Sequence, residues 1–166
     1  MDEALWGHRP PAQPAAVLSA VWHCEPTDAA ELSAQRGQLR SAVIEHADAA
    51  GSEFDDVDRL LLVFEELGSN GLRHGHPPVQ ITVAATATGW MLDVTDAATD
   101  RPPAPAADRD PACGGMGLYI SARLCAEHGW NVRDGRKHVW GRIDFAPAPS
   151  SSQPAEVLDT WTSRPT

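Results

Sequence analysis

An α+β fold, a two-layer α/β sandwich whose mixed, mostly antiparallel sheet carries three helices on one face, follows from three features of this chain. Its segments run β-α-α-β-β-loop-α-β-β, without the repeated βαβ units of a parallel sheet. Four of the five strands come as strand-turn-strand pairs. The first two helical stretches each carry a single apolar stripe, as helices laid on a sheet should.

"AVWHCEP" predicts the first strand, ended by Pro26. Thr27 or Asp28 then caps a helix with Glu31 in its first turn. That helix runs through "AAELSAQRGQLRSAVIEHADAAG", with Leu32, Leu39, Val43 and Ile44 inside and Gly51 as its stop; Gly37 weakens it without breaking the pattern. Asp55 or Asp56 starts the next helix, whose inner stripe is Val57, Leu60, Leu61, Phe64, Leu67 and Gly71. "PVQITVAATAT" alternates as a strand, Gly89 turns it, and "WMLDVTD" returns. A polar, Pro-rich loop of 17 residues follows, long enough to suggest a function. "GGMGLYISARLCAEHGW" predicts a glycine turn feeding a third helix closed by Gly129, and "WNVRDGRKHVWGRIDF" a second strand-turn-strand. Residues 1–19 are expected to be a flexible N-terminal arm, 20–145 the folded domain, and 146–166 a flexible tail.

Bulk properties narrow the function. The 166 residues carry 23 acidic and 13 basic side chains, a formal net charge of -10, which disfavours a nucleic-acid or anionic-membrane binder. Three cysteines (Cys24, Cys113, Cys125) without CxxC spacing suggest a reducing setting and no zinc site. No apolar run approaches a membrane span and no signal sequence is evident, so a cytoplasmic protein is expected.

The chemistry concentrates in "FEELGSNGLRHGHPP". Glu66, Asn70 and His74 recur every four residues and so share one helix stripe. Such a stripe can be the polar back of an amphipathic helix. Leu62 and Val63 flank it, however, and a carboxylate, an amide and an imidazole suit a hard cation and proton transfer better than mere solvation. Gly114, Gly115 and Gly117 precede a helix, where backbone can approach an anion. Neither a Walker loop nor a dinucleotide fingerprint fits, because no Lys-Ser/Thr follows and Ile120 stands where a third glycine belongs. Asp96 ends a strand before the long loop, either as a turn-starting residue or as an acceptor at a pocket floor; Asp93 points to the opposite face.

In this order the motifs resemble the GHKL ATPase domain, the histidine-kinase-like Bergerat-type fold, and most closely its anti-sigma factor serine/threonine-protein kinase branch. "EELGSNGLRHG" is similar to that branch's N box, "VTD" to the strand end that reads adenine, "GGMGLYISARLCAEHGW" to the glycine box, and "HVWGRIDF" to the closing strand. The likeness covers roughly residues 20–145. It implies ATP and Mg²⁺ as cofactors, with Asn70 as the metal ligand, Glu66 as the catalytic general base and Asp96 as acceptor for the adenine amine. It also places Gly115 and Gly117 around the phosphates and His74 near them. Arg101 and Arg109 are the loop's own cations, within reach of a terminal phosphate by placement.

The same resemblance implies a kinase that sequesters a sigma factor and phosphorylates an anti-anti-sigma (STAS-type) partner on serine, with homodimers common in the branch. Three departures stand out. "DAATD" lacks the glycines usual after the adenine-reading Asp, His138 replaces a Thr usual in the closing strand, and Gly71 replaces an Ala. The alternative is a GHKL-fold regulatory adaptor that works by protein contact with weak or no ATP use.

Overall fold

Reciprocal capping sets the start of the first helix. The Glu31 N–H donates to Asp28 Oδ1 at 2.8 Å, while the Glu31 carboxylate accepts from the Thr27 N–H at 2.9 Å and its hydroxyl at 2.8 Å. This box joins strand β1 (Val17–Cys24) to helix α1 (Ala29–Ala50). The computed structural model describes residues 5–11, 17–50, 54–103 and 116–146. After α1 come helix α2 (Phe54–His74), strands β2 (Gln80–Thr86) and β3 (Gly89–Asp96), helix α3 (Gly117–Leu124), and strands β4 (Glu127–Arg133) and β5 (Arg136–Asp144).

The five strands lie in the order β1-β2-β3-β5-β4, and every neighbouring pair is antiparallel. Hairpin β4–β5 turns at Asp134 and Gly135, whose φ angles of 53° and 71° are those of a tight primed turn. On the helix side of the sheet, Ile81, Val83, Leu92, Val94 and Ile143 meet Leu39, Leu60, Leu61, Phe64 and Leu67, all at most 1% exposed. Each such aliphatic or aromatic side chain contributes about 1.5–3 kcal/mol by leaving water. Buried Asp56 ties the first turn of α2 to the end of the sheet: it pairs with Arg59 and accepts the Ala146 N–H at 3.0 Å, while Arg59 donates to the Asp144 carbonyl at 2.9 Å. The α+β sandwich expected from the segment order is the fold observed.

Three expectations change, the first being Ile44 of α1, which is 37% exposed and not on the inner face with Leu32, Leu39 and Val43. Helix α3 ends at Leu124, not at Gly129; Cys125 is already extended (φ -86°, ψ 137°), and Gly129 lies inside β4 opposite Trp140. Pairing with β5 claims residues 127–133 for the sheet, overriding the helical pattern of "AEHGW". Within the stretch expected as a mobile arm, residues 17–19 already belong to β1 and residues 5–11 lie against β4. Arg9 N–H donates to the Trp130 carbonyl at 2.8 Å and Trp130 N–H to the Gly7 carbonyl at 3.0 Å. Trp6 is 1% exposed and its indole N–H donates to the Leu118 carbonyl at 3.2 Å. A buried indole needs such an acceptor, and α3 supplies it. Residues 1–4, 12–16 and 147–166, including Trp161, lie outside the described residues.

Candidate nucleotide site

Four-residue spacing does what helix geometry requires of it. Along α2, Glu66 and Asn70 are half-buried and His74 is exposed, beside the fully buried row Val63, Phe64 and Leu67. The stripe is thus neither core nor an open solvated face. Helix α3 covers its first member: a Cβ on Gly117 would collide with the Glu66 carboxylate, so glycine there leaves room for that group at the start of α3. Burial pushes the Glu66 carboxyl above the ordinary glutamate value; neighbouring Glu65 adds to the shift and Arg73 opposes it.

The other two members line a cavity. Asn70, His74, Arg101, Pro102, Pro103 and Lys137 enclose about 180 Å³. The stretch from Asp96 to Pro103 leads from the end of β3 over this cavity, bringing Arg101 to its wall.

Asp96 stands at the last position of β3 and is 1% exposed. Its Oδ1 accepts the Ala98 N–H at 2.7 Å and faces the His76 N–H at 3.5 Å, the local turn bonding that Asp favours. Its Oδ2 lies 3.1 Å from Lys137 Nζ, with the two side chains 2% and 4% exposed. The β3–β5 register sets Asp96 directly opposite Lys137, so both point to the helix side. Gly75 passes so close that a Cβ there would sit 2.7 Å from Asp96 Oδ2.

The expected site residues therefore divide cleanly. Glu66 and Gly117 touch, Asn70 and His74 share a cavity, and Lys137 links that cavity to Asp96. Gly115 and Arg109 lie outside the described residues. Strand alternation turns His138 to the opposite face of the sheet from Asp96, where its Nδ1 lies 2.8 Å from Asp93 Oδ2. Asp93 faces away from Asp96, as the alternation of the strand predicts. The residue missed is Lys137. Its signal was the strand register, which pairs "VTD" with "KHV" and sets Asp96 opposite Lys137.

The side chains present suit a magnesium nucleotide. The amide of Asn70 offers the hard oxygen that Mg²⁺ prefers, and Lys137 and Arg101 offer positive charge. Asp96 retains acceptor capacity, since a carboxylate can take about four hydrogen bonds. Among the described residues the cavity is smaller than the ~300–1,000 Å³ of a typical ligand pocket, so it matches one part of a nucleotide. Among the described residues no group of three or more His, Cys, Asp or Glu side chains could hold a metal ion. No helix among the described residues is long and apolar enough to cross a membrane.

Comparison with known proteins bears on the fold. A solved structure of the RsbU and RsbW domains of Rv1364c from Mycobacterium tuberculosis superposes with a TM-score of 0.54 at 18% identity. The match covers 76% of this chain and 33% of that one, so this chain spans about a third of the length of the protein it resembles. No curated protein is recognisably similar in sequence. The sequence profile of the histidine kinase-like ATPase domain matches residues 29–143, from the start of α1 to the end of β5, and the chain belongs to that family.

Proposed function

We propose that this chain is an ATP-dependent protein serine kinase that also binds a sigma factor and is released from it by partner switching with a STAS-type anti-anti-sigma protein. The observation that carries this reading is the Glu66 carboxylate, half-buried against Gly117 on the same stripe as Asn70. A carboxylate kept from full solvation and raised in pKa is suited to take the proton of an incoming serine hydroxyl at its Oε atoms. Asn70 would hold Mg²⁺ through its amide oxygen, and Asp96 would accept a hydrogen bond from the base. When bound, Mg²⁺-ATP supplies the phosphoryl group and the charge neutralisation on which such transfers depend. Likeness in fold to a structure that includes an RsbW domain supports the regulatory setting.

A second reading has its own observation. Lys137 already engages Asp96, and "DAATD" lacks glycines after that residue, both of which suit an adaptor that works by protein contact. Calorimetric titration of Mg²⁺-ATP into wild type and Asn70→Ala separates the two. Binding by wild type with loss of the Mg²⁺-dependent part in the variant supports the kinase. Absence of binding at millimolar nucleotide leaves the adaptor.

A further inference from the structure

We propose that Asp96 and Lys137 read a purine together, as an acceptor–donor couple, and that this site therefore takes guanine as well as adenine nucleotides. The inference rests on the nucleotide-binding reading above and extends it to the class of base.

An aspartate alone at the floor of a base site is an acceptor only. It welcomes the exocyclic amine of adenine and repels the O6 of guanine, because two acceptors would then face each other without a proton between them. This chain does not present an aspartate alone. Lys137 Nζ lies 3.1 Å from Asp96 Oδ2, both side chains are more than nine-tenths buried, and Lys137 lines the cavity that also contains Asn70 and His74. An ammonium carries three donors, and its one partner among the described residues is Asp96. Buried donors require acceptors, so the remaining N–H groups favour a ligand that brings one.

Both purines bring a donor and an acceptor side by side, in opposite order. With adenine, the amine at C6 donates to Asp96 and N1 accepts from Lys137. With guanine, O6 accepts from Lys137 while N1–H donates to Asp96. The ammonium is a compact charge on a flexible stem with three rotatable donors, so it can follow either order. The carboxylate is held in place by the Ala98 N–H and cannot turn into a donor while ionised. Lys137 thus decides whether a 6-oxo purine is tolerated.

The test is calorimetry of Mg²⁺-ATP and Mg²⁺-GTP with the full chain and with Lys137→Met, whose folding is first checked by circular dichroism and thermal melting. Wild type should bind the two nucleotides within about tenfold of each other, and Lys137→Met should lose GTP by about a hundredfold more than ATP. If wild type takes ATP but rejects GTP by the roughly 10⁴-fold expected of a site that leaves polar groups unpaired, the proposal fails and the kinase reading stands. Should Lys137→Met bind ATP where wild type binds neither, the pair is a plug, and the proposal fails while the nucleotide site survives. If neither protein binds either nucleotide, the nucleotide-binding reading fails and takes this one with it. A variant that does not fold leaves the decision to the wild-type comparison of ATP with GTP, which suffices alone.

Discussion

The Glu66 carboxylate occupies the space that a side chain at residue 117 would need. Two motifs 51 positions apart in the chain are thereby made interdependent: the Glu66 carboxylate on the helix that carries the proposed base keeps its place against the start of α3 only while residue 117 has no Cβ.

Gly117→Ala should therefore act on both. The methyl group meets only the far end of the flexible Glu66 side chain, so the carboxylate can turn aside at little cost to stability but leaves its place at the start of α3. Urea unfolding should show little change, whereas phosphate transfer to a serine substrate should fall as the carboxylate is displaced. A variant as stable and as active as wild type would show that Glu66 and α3 are free to move apart.

Glu66 also gives a pH signature. Its carboxyl is raised in the folded state, chiefly by burial, so folding favours the protonated form. That contribution is complete below the unfolded glutamate pKa and is lost as pH rises through the higher folded value. Glu66→Gln should consequently be more stable than wild type at neutral pH, and the gain should vanish on acidification. If Glu66 is the base, the acid limb of the kinase pH profile should lie above the ordinary glutamate range. Equal stability of the two proteins across the whole range would remove the basis for this expectation.

Much of this was legible in the sequence because it depends on local spacing. The stripe Glu66, Asn70 and His74, the cap at Asp28 and the strand-ending Asp96 each follow from residues within one turn or one strand. What was hidden depends on partners far along the chain. Lys137 reads as one more solvated cation in "RDGRKH" until the β3–β5 register sets it opposite Asp96. The same register sends His138 to the opposite face of the sheet. Helix α3 looks longer than it is because the demand of β5 for a neighbouring strand cannot be seen in "LCAEHGW". A Pro- and Ala-rich start gives no periodicity to betray that Trp6 will be buried.

The packed N-terminal segment should matter to stability and to α3. Trp6 is 1% exposed, its ring meets His128 edge-on at 4.7 Å between centroids, and its N–H holds the Leu118 carbonyl. Trp6→Ala should destabilise the fold by about 3–5 kcal/mol, read by chemical denaturation. Hydrogen exchange in residues 117–124 should quicken at the same time. Unchanged exchange there would show that α3 does not depend on this contact.

Cysteine chemistry offers a final check on how this part of the fold is packed. Burial pushes the Cys125 thiol up to about 12, with Arg59 opposing the shift, and burial raises Cys24 as well. Nucleophilic attack requires the thiolate, so neither residue should react with iodoacetamide in the native protein at neutral pH. Mass mapping should find both unmodified under native conditions and both alkylated in urea, whereas Gly141→Ala should change the native pattern. A Cβ at residue 141 would sit 2.6 Å from Cys125 Sγ, so the thiol or β5 must shift, and the shift should expose Cys125 before Cys24. Rapid native labelling of Cys125 in wild type would mean that the short helix α3 opens readily from the sheet, and that the contact between Gly117 and Glu66 is made only part of the time.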